Sequence, residues 1–65
     1  MTTLGARIRS LRESRGFSRP ALAQMSGVSE RAIQNLELGQ ADPRVGTLEK
    51  IAVALGVKVE ELVKK

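Results

Sequence analysis

The 65-residue sequence contains no cysteine, histidine, tryptophan or tyrosine, and one phenylalanine. Without cysteine, no disulfide can stabilise the chain. Without cysteine and histidine, zinc and other transition metals lose their usual ligands, so we expect no metal and no cofactor. An enzyme is also disfavoured, because general acid–base catalysis needs a histidine or paired carboxylates in a pocket, and the seven acids here are scattered.

Long apolar runs are missing as well. No run approaches the roughly 20 apolar residues that cross a membrane, and no secretory leader is visible. We therefore expect a soluble cytoplasmic protein without a membrane partner. A chain of this length forms one domain, 1–65, which buries roughly 60% of its unfolded surface and has little room for a deep cleft.

Negative charge is scarce in the first half of the chain. The net charge is +4, and residues 1–31 carry all of it, with six arginines against two glutamates. Residues 32–65 are balanced, with five basic and five acidic side chains. This asymmetry suits an anionic partner. A solvated arginine-rich helix face would have the same composition, so charge alone leaves both interpretations open.

Helical spacing of apolar residues recurs along the chain, whereas the alternation typical of strands is absent over any useful length. The pattern predicts an all-α fold of five helices over residues 4–16, 18–26, 29–38, 46–56 and 59–65. Thr2 or Thr3, Ser18 and Ser29 are suitable N-caps, and glycines follow four of the helices. The expected core includes Leu4, Ile8, Leu11, Phe17, Leu22, Met25, Ile33, Leu36, Leu48, Ile51, Ala52, Leu55 and Leu62.

The segment AQMSGVSERAIQNLELG predicts a helix, a short turn with glycine, and a second helix. Ala23 and Gly27 allow the two helices to cross closely, and Ile33 with Leu36 holds the second helix against the first. The opposite face of the second helix is then exposed. An α-helix exposed in this way fits the major groove of B-DNA.

Four polar residues on that exposed face have the chemistry to read base edges. Arg31 can bond to guanine in bidentate fashion, Gln34 and Asn35 to adenine, and Glu30 can accept a bond from cytosine. Any one of them is more commonly a solvated surface residue. Glu30 has a second explanation, because an acid in the first turn stabilises the helix dipole.

The blocks IRSLRESRGFS, LAQMSGVSERAIQNLELG and DPRVGTLEKIAVALGV, followed by EEL, resemble the Cro/repressor-type helix-turn-helix family, also called lambda-repressor-like or XRE-type. The resemblance covers about Ala6 to Leu62, and the order and spacing of the blocks make it specific. It implies a compact five-helix domain that binds double-stranded DNA. It also implies a homodimer, at least on a palindromic operator, that regulates transcription in a prokaryote or phage.

The resemblance also assigns roles to individual residues. Its recognition helix corresponds to residues 29–38, and the implied base contacts are Glu30, Arg31 and Gln34, with Ser29 and Asn35 at the margin. The implied phosphate contacts are Ser18, Arg19, Gln40 and Arg44. Arg12 and Glu37 are implied to form a structural ion pair away from DNA.

The chain departs from the family's pattern at several positions. Pro20 and Gly46 stand where an acid is usual, and Gly46 is expected to weaken its helix by roughly 1 kcal/mol relative to alanine. Asp42 lies in a loop that is often basic, which argues against strong phosphate contact there. Lys58 replaces a serine cap, so we expect the last helix to fray.

The family often dimerises through its last helix and the preceding loop. The candidate dimer surface here is Val57, Lys58, Val59, Leu62 and Val63. Alternatively, the valines close the core beneath the last helix. The same fold also serves as a protein-interaction module or an antitoxin component, for which Leu38 and the valines provide a possible surface.

Overall fold

A computed structural model describes residues 3–40 and 42–63, and it contains five α-helices and no strand within these residues. The helices are α1 (Leu4–Ser14), α2 (Arg19–Ser26), α3 (Glu30–Glu37), α4 (Val45–Leu55) and α5 (Val59–Val63). The predicted all-α, five-helix fold is confirmed, with helix ends that differ from the predicted ones by one or two residues. No helix in the described ranges is long and apolar enough to span a membrane.

Hydroxyl caps define the starts of the first three helices. Each capping oxygen accepts the N–H three residues further on: Thr3 from Ala6 at 3.1 Å, Ser18 from Ala21 at 3.2 Å, and Ser29 from Ala32 at 3.1 Å. These bonds satisfy amide groups that have no partner within the helix. The alternative cap, Thr2, and the C-terminal lysines of the last predicted helix lie outside the described residues.

The core lies between all five helices. α1 packs on α3 and α5, α2 packs on α3 and α4, and α4 packs on α5. The fully or nearly buried apolar residues are Ile8, Leu22, Val28, Ile33, Leu36, Leu48, Ile51, Ala52, Leu55 and Leu62. Leu4, Leu11 and Phe17 pack at the edge of this cluster. α2 and α3 therefore form the predicted helix-turn-helix, with the opposite face of α3 outside the core.

The prediction that Met25 lies in the core is wrong, because 49% of this residue is exposed. The inward position at the end of α2 belongs to Ser26, one turn after the buried Leu22. The Ser26 hydroxyl accepts the N–H of Val28 at 3.2 Å. A small hydroxyl side chain here closes the turn between α2 and α3, and Met25 is consequently rotated outwards.

Gly5 sets the closest approach between α1 and the end of α3. A Cβ atom at this position would collide with the carbonyl oxygen of Leu36 and would lie 2.7 Å from that of Glu37. Because those atoms belong to the backbone, they cannot rotate away. Only glycine lets α1 pass this close, and the contact fixes the C-terminal end of α3 relative to the rest of the domain.

Candidate nucleic-acid interface

The outer face of α3 carries three polar side chains with no partner in the described part of the chain. Glu30, Arg31 and Gln34 are exposed, and none of them forms an ion pair or a side-chain hydrogen bond there. Ile33 and Leu36 are buried on the other side of the same helix. The structure therefore places these three predicted base contacts together, with their hydrogen-bonding groups available.

The two marginal base contacts are in different surroundings. The Ser29 oxygen already accepts the N–H of Ala32, which leaves its hydroxyl proton available for donation. Asn35 is half-buried and faces a surface depression of about 240 Å³, together with Asp42 and Arg44. Asn35 thus lies where α3 meets the loop leading to α4, to one side of the exposed face.

The predicted phosphate contacts lie at the starts of two helices and in the loop after α3. Ser18 caps α2, and Arg19 is its first residue. Gln40 has an exposed side chain, and its backbone N–H bonds to the Asn35 carbonyl at 2.9 Å. Arg44 occupies the N-cap position of α4, makes no side-chain capping bond and is exposed. Serine and arginine side chains at helix N-termini are favourable neighbours for phosphate.

Glu37, the last residue of α3, accepts hydrogen bonds from two arginines. Arg12 donates from Nε to Oε2 at 2.7 Å and from Nη2 to Oε1 at 3.1 Å. Arg19 donates from Nε to Oε1 at 3.1 Å. α3 has no basic residue in its own last turn, so these arginines from α1 and α2 also supply the positive charge that a helix C-terminus favours.

Burial and charge act on the Glu37 carboxylate in opposite directions. Burial raises the pKa of Glu37, because only 1% of its side chain is exposed. The hydrogen bonds and charges of Arg12 and Arg19 outweigh burial and hold the pKa below its ordinary value. The hydrogen bond to Glu37 likewise raises the pKa of Arg12. Glu37 and Arg12 are therefore both charged at neutral pH.

The arginine excess of the first half is partly used inside the domain. Arg12 is buried against Glu37, and Arg19 shares the same carboxylate. Arg9 pairs with Glu13 on the exposed side of α1, at 3.3 Å. Arg31, in contrast, makes no ion pair within the described residues. The net charge is unchanged, but fewer of these arginines are free for an external anion than the sequence count implies.

A polar, exposed helix supported by a capped helix and a glycine turn is the arrangement of a helix-turn-helix unit. The sequence model of the helix-turn-helix family HTH_3 matches residues 8–62. The chain belongs to this family. The match includes every helix except the first turn of α1 and the end of α5, so the family covers the core as well as the outer face of α3.

Several relatives of the chain are named as regulators. The SPbeta prophage-derived HTH-type transcriptional regulator YonR of Bacillus subtilis is 33% identical over 60 residues, which is 92% of this chain and 56% of that protein. The immunity repressor protein of Bacillus phage phi105 is 33% identical over 61 residues, which is 94% of this chain and 42% of that protein. The chain thus spans about half the length of these relatives.

Solved structures show the same fold. The restriction-modification controller protein C.AhdI from Aeromonas hydrophila superposes with a TM-score of 0.90 at 33% identity, covering 94% of this chain and 92% of that chain. An HTH_3 family transcriptional regulator from Vibrio cholerae gives a TM-score of 0.88 at 34% identity, covering 94% and 34% respectively. The first of these structures matches the present helices over almost its entire length.

The predicted dimer surface needs correction at Leu62. Only 1% of this residue is exposed. It belongs to the core, because the side of α5 that carries Leu62 packs against α1 and α4. Val57 and Val59 are half-buried against the same core, as the alternative interpretation expects. Only Lys58 and Val63 of the predicted set are exposed.

Two features of this site were missed in the sequence. The contact between Arg19 and Glu37 joins residues 18 positions apart and leaves no local pattern. Gly5 did leave a signal, since it lies three residues before the buried Ile8 on α1. A glycine on the apolar face of a helix indicates a close approach by another backbone.

Proposed function

We propose that the chain is the sequence-specific, double-stranded DNA-binding domain of a repressor-like transcriptional regulator, with α3 inserted in the major groove. The observation that carries this proposal is the exposed set Glu30, Arg31 and Gln34 on one face of a helix whose other face is buried. The regulators and the immunity repressor among its relatives support the same function.

In this proposal, α3 reads bases and the neighbouring helix starts bind the backbone. Arg31 bonds to guanine, Gln34 to adenine, and Glu30 to cytosine N4. Ser29 and Asn35 contact bases at the two edges of this set. Phosphate contacts come from Ser18, Arg19, Gln40 and Arg44, which fix the register of the domain on the duplex.

A homodimer on a palindromic operator is part of the proposal. The domain measures 27 × 22 × 20 Å. Two copies side by side, with α3 away from the twofold axis, can place the recognition helices about 34–36 Å apart, one turn of B-DNA. Val63 on α5 and Val53 on α4, which is 80% exposed, are the apolar side chains offered for contact between copies.

A protein-interaction module, such as an antitoxin component, is the second candidate function. The observation in its favour is Leu38, the C-cap residue that follows α3, whose apolar side chain is exposed. An exposed leucine at this place could contact a protein partner, or the methyl group of a thymine.

Salt dependence distinguishes the two functions. We expect the chain to bind random-sequence duplex at low salt, and the logarithm of its affinity to fall linearly with the logarithm of salt concentration. The expected slope is about −0.9 for each phosphate contacted. Undetectable binding to random duplex at low salt would exclude the DNA-binding function and favour the protein-interaction function.

A further inference from the structure

We propose that Glu37 is a positioning residue for DNA binding: its buried carboxylate holds the Arg19 side chain in the conformation that meets a phosphate. The inference rests on the proposed function and extends it to a residue that does not touch DNA. Glu37, the last residue of the recognition helix, would then influence the contact that Arg19 of α2 makes with the DNA backbone.

The carboxylate is a fixed anchor. Only 1% of the Glu37 side chain is exposed, and Arg12 holds both of its oxygens, at 2.7 and 3.1 Å. Arg12 is itself fixed, because its Nη1 donates to the Phe17 carbonyl oxygen at 2.8 Å. With these bonds in place, Glu37 cannot turn towards solvent or follow a moving partner.

Arg19 uses only part of its donor capacity on this anchor. Its Nε donates to Glu37 at 3.1 Å, while its two terminal amino groups donate no hydrogen bond within the described ranges. About a third of the side chain, 35%, is exposed. The guanidinium is therefore held at one edge and available at the other, which is the geometry needed for a two-bonded contact with phosphate oxygens.

Because Glu37 already holds the Arg19 side chain, less conformational entropy is lost when Arg19 binds a phosphate. A long side chain that is ordered only on binding loses rotamer freedom at that step, and a side chain ordered beforehand avoids much of this loss. Arg19 is also the first residue of α2, after the Ser18 cap, where the helix dipole favours an anion. The orientation of the Arg19 guanidinium and the dipole at the start of α2 thus favour binding of the same phosphate.

Charge and positioning predict opposite effects for one substitution. Glu37→Gln removes a negative charge and raises the net charge from +4 to +5. Charge alone therefore predicts tighter binding to DNA, a polyanion. Positioning predicts weaker binding, because glutamine can no longer hold both arginines with ionic hydrogen bonds and Arg19 becomes mobile.

The test is a double-mutant cycle on binding to random-sequence duplex at fixed salt, with folding of each variant verified by circular dichroism. We expect Glu37→Gln to weaken binding about 3- to 10-fold in the native background, and to leave binding unchanged or slightly tighter in the Arg19→Ala background, where only the charge effect remains. The matched control is Glu13→Gln, which makes the same charge change at an exposed carboxylate, 3.3 Å from Arg9 and 4.0 Å from Arg12, without removing a hydrogen bond to Glu37. This control should bind as tightly as the native chain or tighter.

Arg19→Lys provides a second arm that leaves the buried Arg12–Glu37 pair intact. Lysine keeps the charge but has no separate Nε to be held, so we expect an affinity between those of the native chain and Arg19→Ala. The inference is overturned if Glu37→Gln binds duplex as tightly as the native chain, if it weakens binding equally in both backgrounds, or if Arg19→Lys binds like the native chain. Failure of the native chain to bind any duplex is a different result, in which the proposed function fails and the inference with it.

Discussion

Among individual residues, Glu37 joins three helices through hydrogen bonds. Its carboxylate at the end of α3 receives N–H groups from Arg12 of α1 and Arg19 of α2. A buried carboxylate is costly unless it is paired and hydrogen-bonded, and here both conditions are met. The pair therefore specifies how α1, α2 and α3 meet, and loss of one partner should leave a buried charge behind.

The lowered pKa of Glu37 predicts a loss of stability in acid. Because the folded-state pKa lies below the ordinary value of about 4.5, the stabilising effect is complete above that pH and is lost as pH falls through the folded-state pKa. We expect the free energy of unfolding to drop between pH 7 and pH 3 by more in the native chain than in Glu37→Gln. At pH 7 the variant should be less stable by about 1–3 kcal/mol.

Denaturant unfolding at the two pH values measures both quantities. Glu13→Gln is the control, since it makes the same substitution at an exposed carboxylate and removes no hydrogen bond to Glu37. Equal acid losses in the native chain and Glu37→Gln would show that the buried pair does not contribute as described.

Among the helices, α1 and α4 each contain a glycine, and the two glycines differ in what surrounds them. At Gly46, near the start of α4, an added Cβ meets nothing within 4 Å. At Gly5, the same atom meets the backbone of α3. Both residues are helical, so replacement by alanine should lower the backbone entropy of the unfolded chain by the same amount at each position. The difference in stability between the two alanine variants therefore measures the effect of packing.

We expect Gly46→Ala to stabilise the domain by about 0.5–1 kcal/mol and Gly5→Ala to destabilise it by about 1–3 kcal/mol. Thermal unfolding followed by circular dichroism at 222 nm measures both. If Gly5→Ala were as stable as the native chain, α1 would not approach the end of α3 as closely as the structure shows.

The helices could be predicted from the sequence because their signals are local. A serine cap, an apolar stripe and a terminal glycine act within a few residues, as at Ser18, Ser29 and Gly27. Long-range packing could not be predicted in this way. Met25 was misassigned, because a one-residue difference in helical phase decides which side chain faces the core. Leu62 was correctly placed in the core but was also assigned to the dimer surface, and the two positions exclude each other.

The candidate site likewise has one part that could be predicted from the sequence and one part that could not. The exposed face of α3 follows from the burial of Ile33 and Leu36, and the sequence is sufficient to find it. The contact of Arg19 with Glu37 depends on how α2 crosses α3, which only the three-dimensional arrangement reveals. The charge count left the role of the arginines open for the same reason, since it cannot distinguish an internal arginine from an external one.

At the scale of the whole molecule, the proposed homodimer would form through the apolar side chains that the core leaves exposed. With Leu62 in the core, the apolar side chains left on α4 and α5 are few, and a weak dimer that tightens on DNA is the expected result. Val45, at the opposite end of α4 from Val53, is a matched exposed valine outside the proposed surface.

We expect Val53→Glu and Val63→Glu to raise the dissociation constant of the dimer at least about tenfold, because each places an unpaired charge in an apolar contact. Val45→Glu should leave that constant unchanged. Sedimentation equilibrium of the free chain over a range of concentrations makes the comparison. An equal effect of all three substitutions would place the dimer surface elsewhere.

Selection of bound sequences from a random duplex pool, with the native chain and with Arg31→Ala, shows whether α3 reads DNA bases through its exposed face. For the native chain we expect a palindromic motif, with half-sites about 34–36 Å apart. For Arg31→Ala we expect relaxed preference at one base pair in each half-site, with a loss of about 1–3 kcal/mol on the preferred site. If the ranking of sequences is unchanged after Arg31→Ala, or if the native chain enriches no motif, α3 does not read bases through this face.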